Sequence, residues 1–86
     1  MLLMDRENLL APGWSHVVST TDDRAELEGL RIRVGAPPPA FSHTGRRPHL
    51  DLKWEARERA LVDPEVTVFD TTRELLRYLN GARSQG

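Results

Sequence analysis

The 86-residue chain predicts a single α/β domain over residues 1–86, built on a small, mostly parallel sheet of three or four strands with about three helices. Three observations lead there. Short apolar or β-branched runs alternate with stretches of helical periodicity, in the order β, β, α, β, α, β, α. From residue 16 onward this resolves into three β–α units, and strands that alternate with helices favour parallel pairing through right-handed crossovers. A chain this short buries only about 60–65% of the surface its unfolded form exposes, which is enough for one modest core. A mixed sheet with residues 1–4 antiparallel at an edge is the variant of this expectation.

Leu2, Leu3 and Met4 form a short first strand that ends at Asp5. Residues 7–14 connect, interrupted by Pro12 and Gly13. The β-branched "HVVST" (16–20) reads as a strand. In the helix that follows, Asp23 and Glu26 have capping-box spacing, Leu27, Leu30 and Val34 recur at helical spacing, and Gly35 is placed to end it. The Pro-rich segment 36–48 opens with three successive prolines and reads as an extended loop rather than a helix. "HLDL" (49–52) alternates as a short strand, and residues 54–63 form a helix stopped by Pro64. "EVTVFD" (65–70) is the clearest strand. Residues 71–81 are the clearest helix, with a Thr71–Glu74 capping box, an apolar stripe of Leu75, Leu76 and Leu79, and Gly81 as C-cap.

Composition removes several function classes. There is no cysteine, hence no disulfide, thiolate nucleophile, iron–sulfur cluster or cysteine-ligated zinc. This fits a reducing, cytoplasmic location. The few apolar residues before Asp5 and Arg6 do not make a signal-peptide core, and no run approaches a membrane span. With a formal net charge of −1, any attraction to nucleic acid or anionic lipid has to come from a local patch. The chain has no P-loop, no Rossmann glycine fingerprint, no serine nucleophile elbow and no RNP-type aromatic strand.

The best candidate for such a patch is "AFSHTGRRPHLDL" (40–52). Arg46 and Arg47 follow Gly45, and no acid lies between Gly35 and Leu50 to neutralise them. Arginine presents a planar fork that suits phosphate or carboxylate. The plainer reading is a solvated arginine pair on a loop that also carries His43. His49 and Asp51 are two apart on a strand and so share a face. If the two His-bearing strands are parallel neighbours, His16 joins them at the same end of the sheet. The three side chains then suit acid–base chemistry or, as two histidines with one carboxylate, a divalent metal. No metal-binding spacing of the H-E-x-x-H kind is present, and the plainer reading is a structural His–Asp hydrogen bond.

The carboxyl ends of parallel strands are the other place to look. They carry Asp5, Ser19–Thr21, Lys53 and Asp70–Thr72. Two of these clusters open helices, but Asp22, Asp23 and Asp70 would repel an anion there, and capping is the reading favoured. Trp14 and Trp54 flank turns, where core packing or anchoring a partner are both open.

"SHVVSTTDDRAEL", "RVGAPPPAF", "PHLDL" and "ERAL" together resemble a family of short bacterial and phage proteins known only as a domain of unknown function. Its members resemble a strand ending in Asp-Asp, a Cys-His strand start before an acidic helix opening, and a His-Tyr-Asp strand followed by Lys-Arg-Ala-Leu. The likeness spans most of the chain and maps onto Asp5, His16, His49, Asp51 and Arg59. Ser15 stands where cysteine is usual, Leu50 replaces the tyrosine, and the last block becomes a displaced Glu58-Arg59-Ala60-Leu61. The resemblance implies that His16, His49 and Asp51 belong together, and it implies no activity.

The expectation is therefore a ligand site of His16, Arg46, Arg47, His49 and Asp51. It would take a phosphate-bearing molecule, a nucleotide or a nucleic-acid end, with no membrane partner and no cofactor identified. The alternative is a non-enzymatic interaction module, such as a homodimer formed through the Pro-rich loop and exposed apolar surface.

Overall fold

The computed structural model describes residues 1–42 and 45–85, with the backbone alone for 83–85; His43 lies outside the described residues. The elements are β1 (Leu2–Glu7), β2 (Trp14–Ser19), α1 (Arg24–Val34), a 3₁₀ turn (Pro38–Ala40), β3 (Phe41–Ser42), β4 (His49–Lys53), α2 (Trp54–Leu61), β5 (Val66–Thr71) and α3 (Thr72–Gln85). One five-stranded sheet runs β3-β4-β2-β1-β5. The mixed α/β content and three helices match expectation. The strand number and the mostly parallel pairing do not: β1–β2, β2–β4 and β3–β4 are antiparallel, and β1–β5 is the parallel pair.

The physical reason lies in two connections. β1 and β2 are joined by only residues 8–13, too few for a crossover, so they pair as a hairpin. β3 is two residues long and sits inside the segment expected to be a continuous loop. It reverses the chain before β4. The helices still act as crossovers: β3 runs in the same direction as β2, and β5 in the same direction as β4. Hairpin strands simply occupy the places between them.

Two layers cover the sheet. Leu2, Met4, Val17, Leu50 and Leu52 pack beneath Leu27, Leu30 and Val34 of α1 and Ala60 of α2. On the opposite face Leu3 and Val18 meet Leu75 and Leu79 of α3, with Phe69 against them. Leu2, Leu3 and Met4 are apolar in succession because β1 is buried from both sides. α3 packs on β1 and β5 and reaches β2 at Val18, so among the described residues no helix packs on this face of β4 and β3.

The helix ends follow their local chemistry, with two exceptions. Asp23 caps α1, accepting the Ala25 and Glu26 N–H groups at 3.0 and 3.2 Å, and Gly35 closes it at φ 72°. Glu26 does not reach back to complete the expected box; its carboxylate holds the Met1 amino group at 3.0 Å. Thr71 accepts the Glu74 N–H at 3.2 Å to open α3, but that helix passes through the expected stop at Gly81 to Gln85. Trp54, the first residue of α2, takes φ 52°, a left-handed conformation that costs a residue with a Cβ about 1–2 kcal/mol.

Candidate functional site: a histidine–aspartate row on the open sheet face

Strand alternation places Asp5 on the same face as Leu3, His16 on the same face as Val18, and His49, Asp51 and Lys53 on the face opposite Leu50 and Leu52. All belong to the face that α3 half covers. His16 is the cross-strand partner of Asp51, and Trp14 that of Lys53. The two His-bearing strands are neighbours, as the argument from residue order required, but antiparallel. His16 and His49 meet diagonally across the ladder, with ring centroids 5.9 Å apart and edges facing.

Asp5 anchors the row. It is fully buried, just where α3 begins. Its Oδ1 accepts the His16 backbone N–H at 2.5 Å, and its Oδ2 lies 3.0 Å from His16 Nδ1. The Thr72 hydroxyl, from the first residue of α3, donates to the same Oδ2. Burial pushes the Asp5 carboxyl up, but the donors from His16 and Thr72 outweigh it and hold it below its usual range. The hydrogen bond to Asp5 raises His16 above 6.5, against the opposing effect of burial. A carboxylate accepts only from a protonated nitrogen, so Nδ1 carries hydrogen, while Nε2 has the Asn8 amide nitrogen at 3.5 Å. The Asn8 amide lies along the ring edge, 3.3 Å from Nδ1, and its carbonyl accepts the Leu10 N–H at 3.1 Å.

Asp51 stands between the Nε2 corners of the two imidazoles. Its Oδ1 is 3.8 Å from His16 Nε2 and its Oδ2 is 3.4 Å from His49 Nε2. The other nitrogen of His49 donates to the Arg47 backbone carbonyl at 3.1 Å. The Asp51 and His16 side chains are 39% and 35% exposed, so the row opens to solvent at its Asp51 end and is dry at Asp5.

Of the expected site residues, the structure therefore brings His16, His49 and Asp51 together. Arg47 joins through its backbone carbonyl rather than its guanidinium. Gly45 does bend the chain, at φ 82°. Arg46 is exposed and Arg47 half-buried, and neither pairs with a carboxylate among the described residues. The buried Arg47 Nη1 has no hydrogen-bond partner among those residues. No group of three or more His, Asp or Glu is placed to hold a metal among the described residues, so the two-histidine, one-carboxylate ligand set does not form. The start of α1 is filled by its own caps: the buried Ser19 hydroxyl accepts the Thr21 and Asp23 N–H groups at 3.2 and 3.1 Å.

Asn8 is the member that residue order did not single out; Asp5 and Thr72 stood among the strand ends, without a link to the histidines drawn from the residues themselves. For Asp5 a signal exists in the chain, an acid directly continuing an apolar run. Thr72 lies 67 positions away from it, and nothing local links them.

A second feature adjoins the row. Lys53 holds its ammonium 4.6 Å from the Trp14 ring centroid and 4.1 Å from that of Trp54. Trp54 is 76% exposed and Trp14 37%, so core packing, one of the two readings open for these tryptophans, does not hold for Trp54. Both line a groove of about 680 Å³ with Asp51, Lys53, Arg59, Pro37, Pro39 and Ala40. The groove follows β4 beyond the two residues at which β3 pairs with it.

No helix among the described residues is long and apolar enough to cross a membrane. No family model matches the chain, and no curated protein or solved structure matches it either.

Proposed function

We propose that this domain binds a phosphate-bearing ligand on the open half of the sheet, at His16 and His49, with Arg46 and Arg47 beside them. The observation that carries the reading is the Asp5–His16 pair. A buried carboxylate that fixes one ring nitrogen and raises the proton affinity of the imidazole makes Nε2–H a charged donor aimed at the exposed face. His49 presents a second ring corner 3.4 Å from the same half-exposed carboxylate. Asp51 occupies the place an incoming anion would take, and a phosphate with more acceptor oxygens displaces it. Arg46 and Arg47 supply guanidiniums not already committed to carboxylates among the described residues. The resemblance to the family of short bacterial and phage proteins is part of the same proposal, since it groups Asp5, His16, His49 and Asp51.

The same geometry allows proton transfer, because His16 Nε2 can give and recover a proton while Asp5 stabilises the charged ring. The test is thermal unfolding with pyrophosphate, nucleotides and short RNA or DNA at two protein concentrations. A ligand at about a hundred times its dissociation constant stabilises by about 2.7 kcal/mol. The shift should vanish in His49→Ala and in the Arg46/Arg47 double alanine variant. A flat response to every phosphate compound overturns the reading.

A second reading has its own observation. Leu9 and Leu10, in the β1–β2 connection, are 80% and 97% exposed. Such surface suits a non-enzymatic module that assembles with a second copy. It predicts a melting temperature that rises with protein concentration without added ligand, and a monomer in light scattering would exclude it.

A further inference from the structure

We infer that Trp54, with Trp14 and Lys53, is a nucleobase subsite of the ligand bound at the His16–His49 row, so that the ligand is a nucleotide or a nucleic-acid end. This rests on the phosphate reading and specifies it. Three observations carry it. First, Trp54 is costly as structure: it is the most exposed aromatic ring recorded and it holds a left-handed backbone conformation at φ 52°. An exposed indole held under backbone strain contributes little to folding and presents a broad, flat face to solvent.

Second, the indole faces already hold a cation. The Lys53 ammonium lies over both indole rings, and no carboxylate pairs with it among the described residues. A stacking base takes the place of that ammonium, and the freed lysine turns to the phosphate. Base–aromatic stacking backed by a cation is the general means of holding unpaired bases. Third, the spacing suits one molecule. The Trp14–Lys53 pair lies two residues along the ladder from His16–Asp51, about 7 Å at the rise of a strand. A sugar spans the gap between a phosphate on the histidines and a base on the tryptophans. The first turn of α2 adds backbone donors, since Lys53 at its N-cap makes no side-chain cap hydrogen bond.

The experiment uses the full chain and its own fluorescence, because its two tryptophans are both in the proposed subsite. The probes are the four nucleoside 5′-monophosphates, adenosine, ribose 5-phosphate, inorganic pyrophosphate and a 5′-phosphorylated single-stranded oligonucleotide. A nucleoside monophosphate should quench the emission. Ribose 5-phosphate should bind without quenching, as followed by calorimetry. Trp54→Ala should weaken the monophosphate by about 5- to 150-fold, the range of one base–aromatic stack, while pyrophosphate binding stays within about twofold. Trp54→Phe should restore most of the loss. Monophosphate against oligonucleotide affinity distinguishes a free nucleotide from a nucleic-acid end. Equal affinity for ribose 5-phosphate and the monophosphates, or an unchanged Trp54→Ala variant, overturns the base subsite and leaves the phosphate reading standing. Quenching by adenosine with no binding of pyrophosphate or ribose 5-phosphate overturns the phosphate reading instead. No quenching by any base-containing probe rejects the inference.

Discussion

Asp5→Asn isolates the anchor of the histidine row with almost no change of shape. The native carboxylate accepts three donors: the His16 N–H at 2.5 Å, the His16 ring at 3.0 Å, and the Thr72 hydroxyl. An amide keeps the first through its oxygen and turns an NH₂ toward the other two. The imidazole then has to abandon its Nδ1 proton and the threonine hydroxyl has to rotate to accept. A hydrogen bond to a charged group contributes about 1.5–3 kcal/mol. With two of them exchanged for weaker neutral ones, the expected loss is about 2–3 kcal/mol. At this size each kcal/mol moves the midpoint by about 4–8 °C, so thermal unfolding near neutral pH should fall by roughly 10–20 °C. The His16 titration, followed by NMR, should drop toward 6.5, because the group that raises it has lost its charge. A variant that melts within two degrees of the parent, or one whose His16 titration does not move, would refute the argument that Asp5 organises the row.

The remaining predictions concern pH, charge, backbone and core. His16 binds its proton more tightly folded than unfolded, so its contribution is complete below pH 6.5 and disappears as pH rises through its raised folded-state value. Asp5 behaves oppositely: its contribution is present above pH 3.8 and is lost as pH falls through its lowered value. Unfolding across pH should therefore show a plateau between these limits, and Asp5→Asn should flatten both shoulders. Asp51→Asn removes the internal anion between the two imidazoles and should tighten pyrophosphate binding several-fold by calorimetry; weaker binding would contradict the displacement argument. Gly35→Ala places a Cβ 3.2 Å from Arg59 Nη1 at φ 72°, and should cost about 1–2 kcal/mol in chemical denaturation. Leu79→Ala, at a fully buried position, should cost about 2–5 kcal/mol. Leu76→Ala, on the same helix but 46% exposed, should cost far less, and equal losses would refute the placement of α3.

Most elements were legible because their signals are local. The caps at Asp23 and Thr71, the αL glycine at Gly35 and the alternation of His49-Leu50-Asp51-Leu52 each depend on a few neighbouring residues, and each is present in the structure. The failures share a cause. The two-residue β3 has no periodicity to detect, and the prolines at 37–39 just before it point to a loop. Missing it inverts the direction of β4 and turns an antiparallel pair into an expected parallel one. The end of α3 differs from expectation because Gly81 is permitted, not required, to stop a helix; in the folded chain it continues to Gln85.

The same division runs through the candidate site. Residue types and period-two alternation were enough to put His49 and Asp51 on one face and to exclude thiolate chemistry and a dedicated metal motif. Only tertiary structure could join β2 to β4, because strand order is decided by which apolar faces bury best and by connection length, not by any property of His16. It also decided which residues carry strong electrostatics. Asp5 gains its grip on His16 because α3 seals it from water and brings Thr72 across 67 positions. Arg46 and Arg47, conspicuous in the chain, remain where a bent loop leaves them, with the Arg47 carbonyl rather than either guanidinium on His49. Composition determines which groups are available, while burial and adjacency determine which of them act on each other, and those are properties of the packed chain.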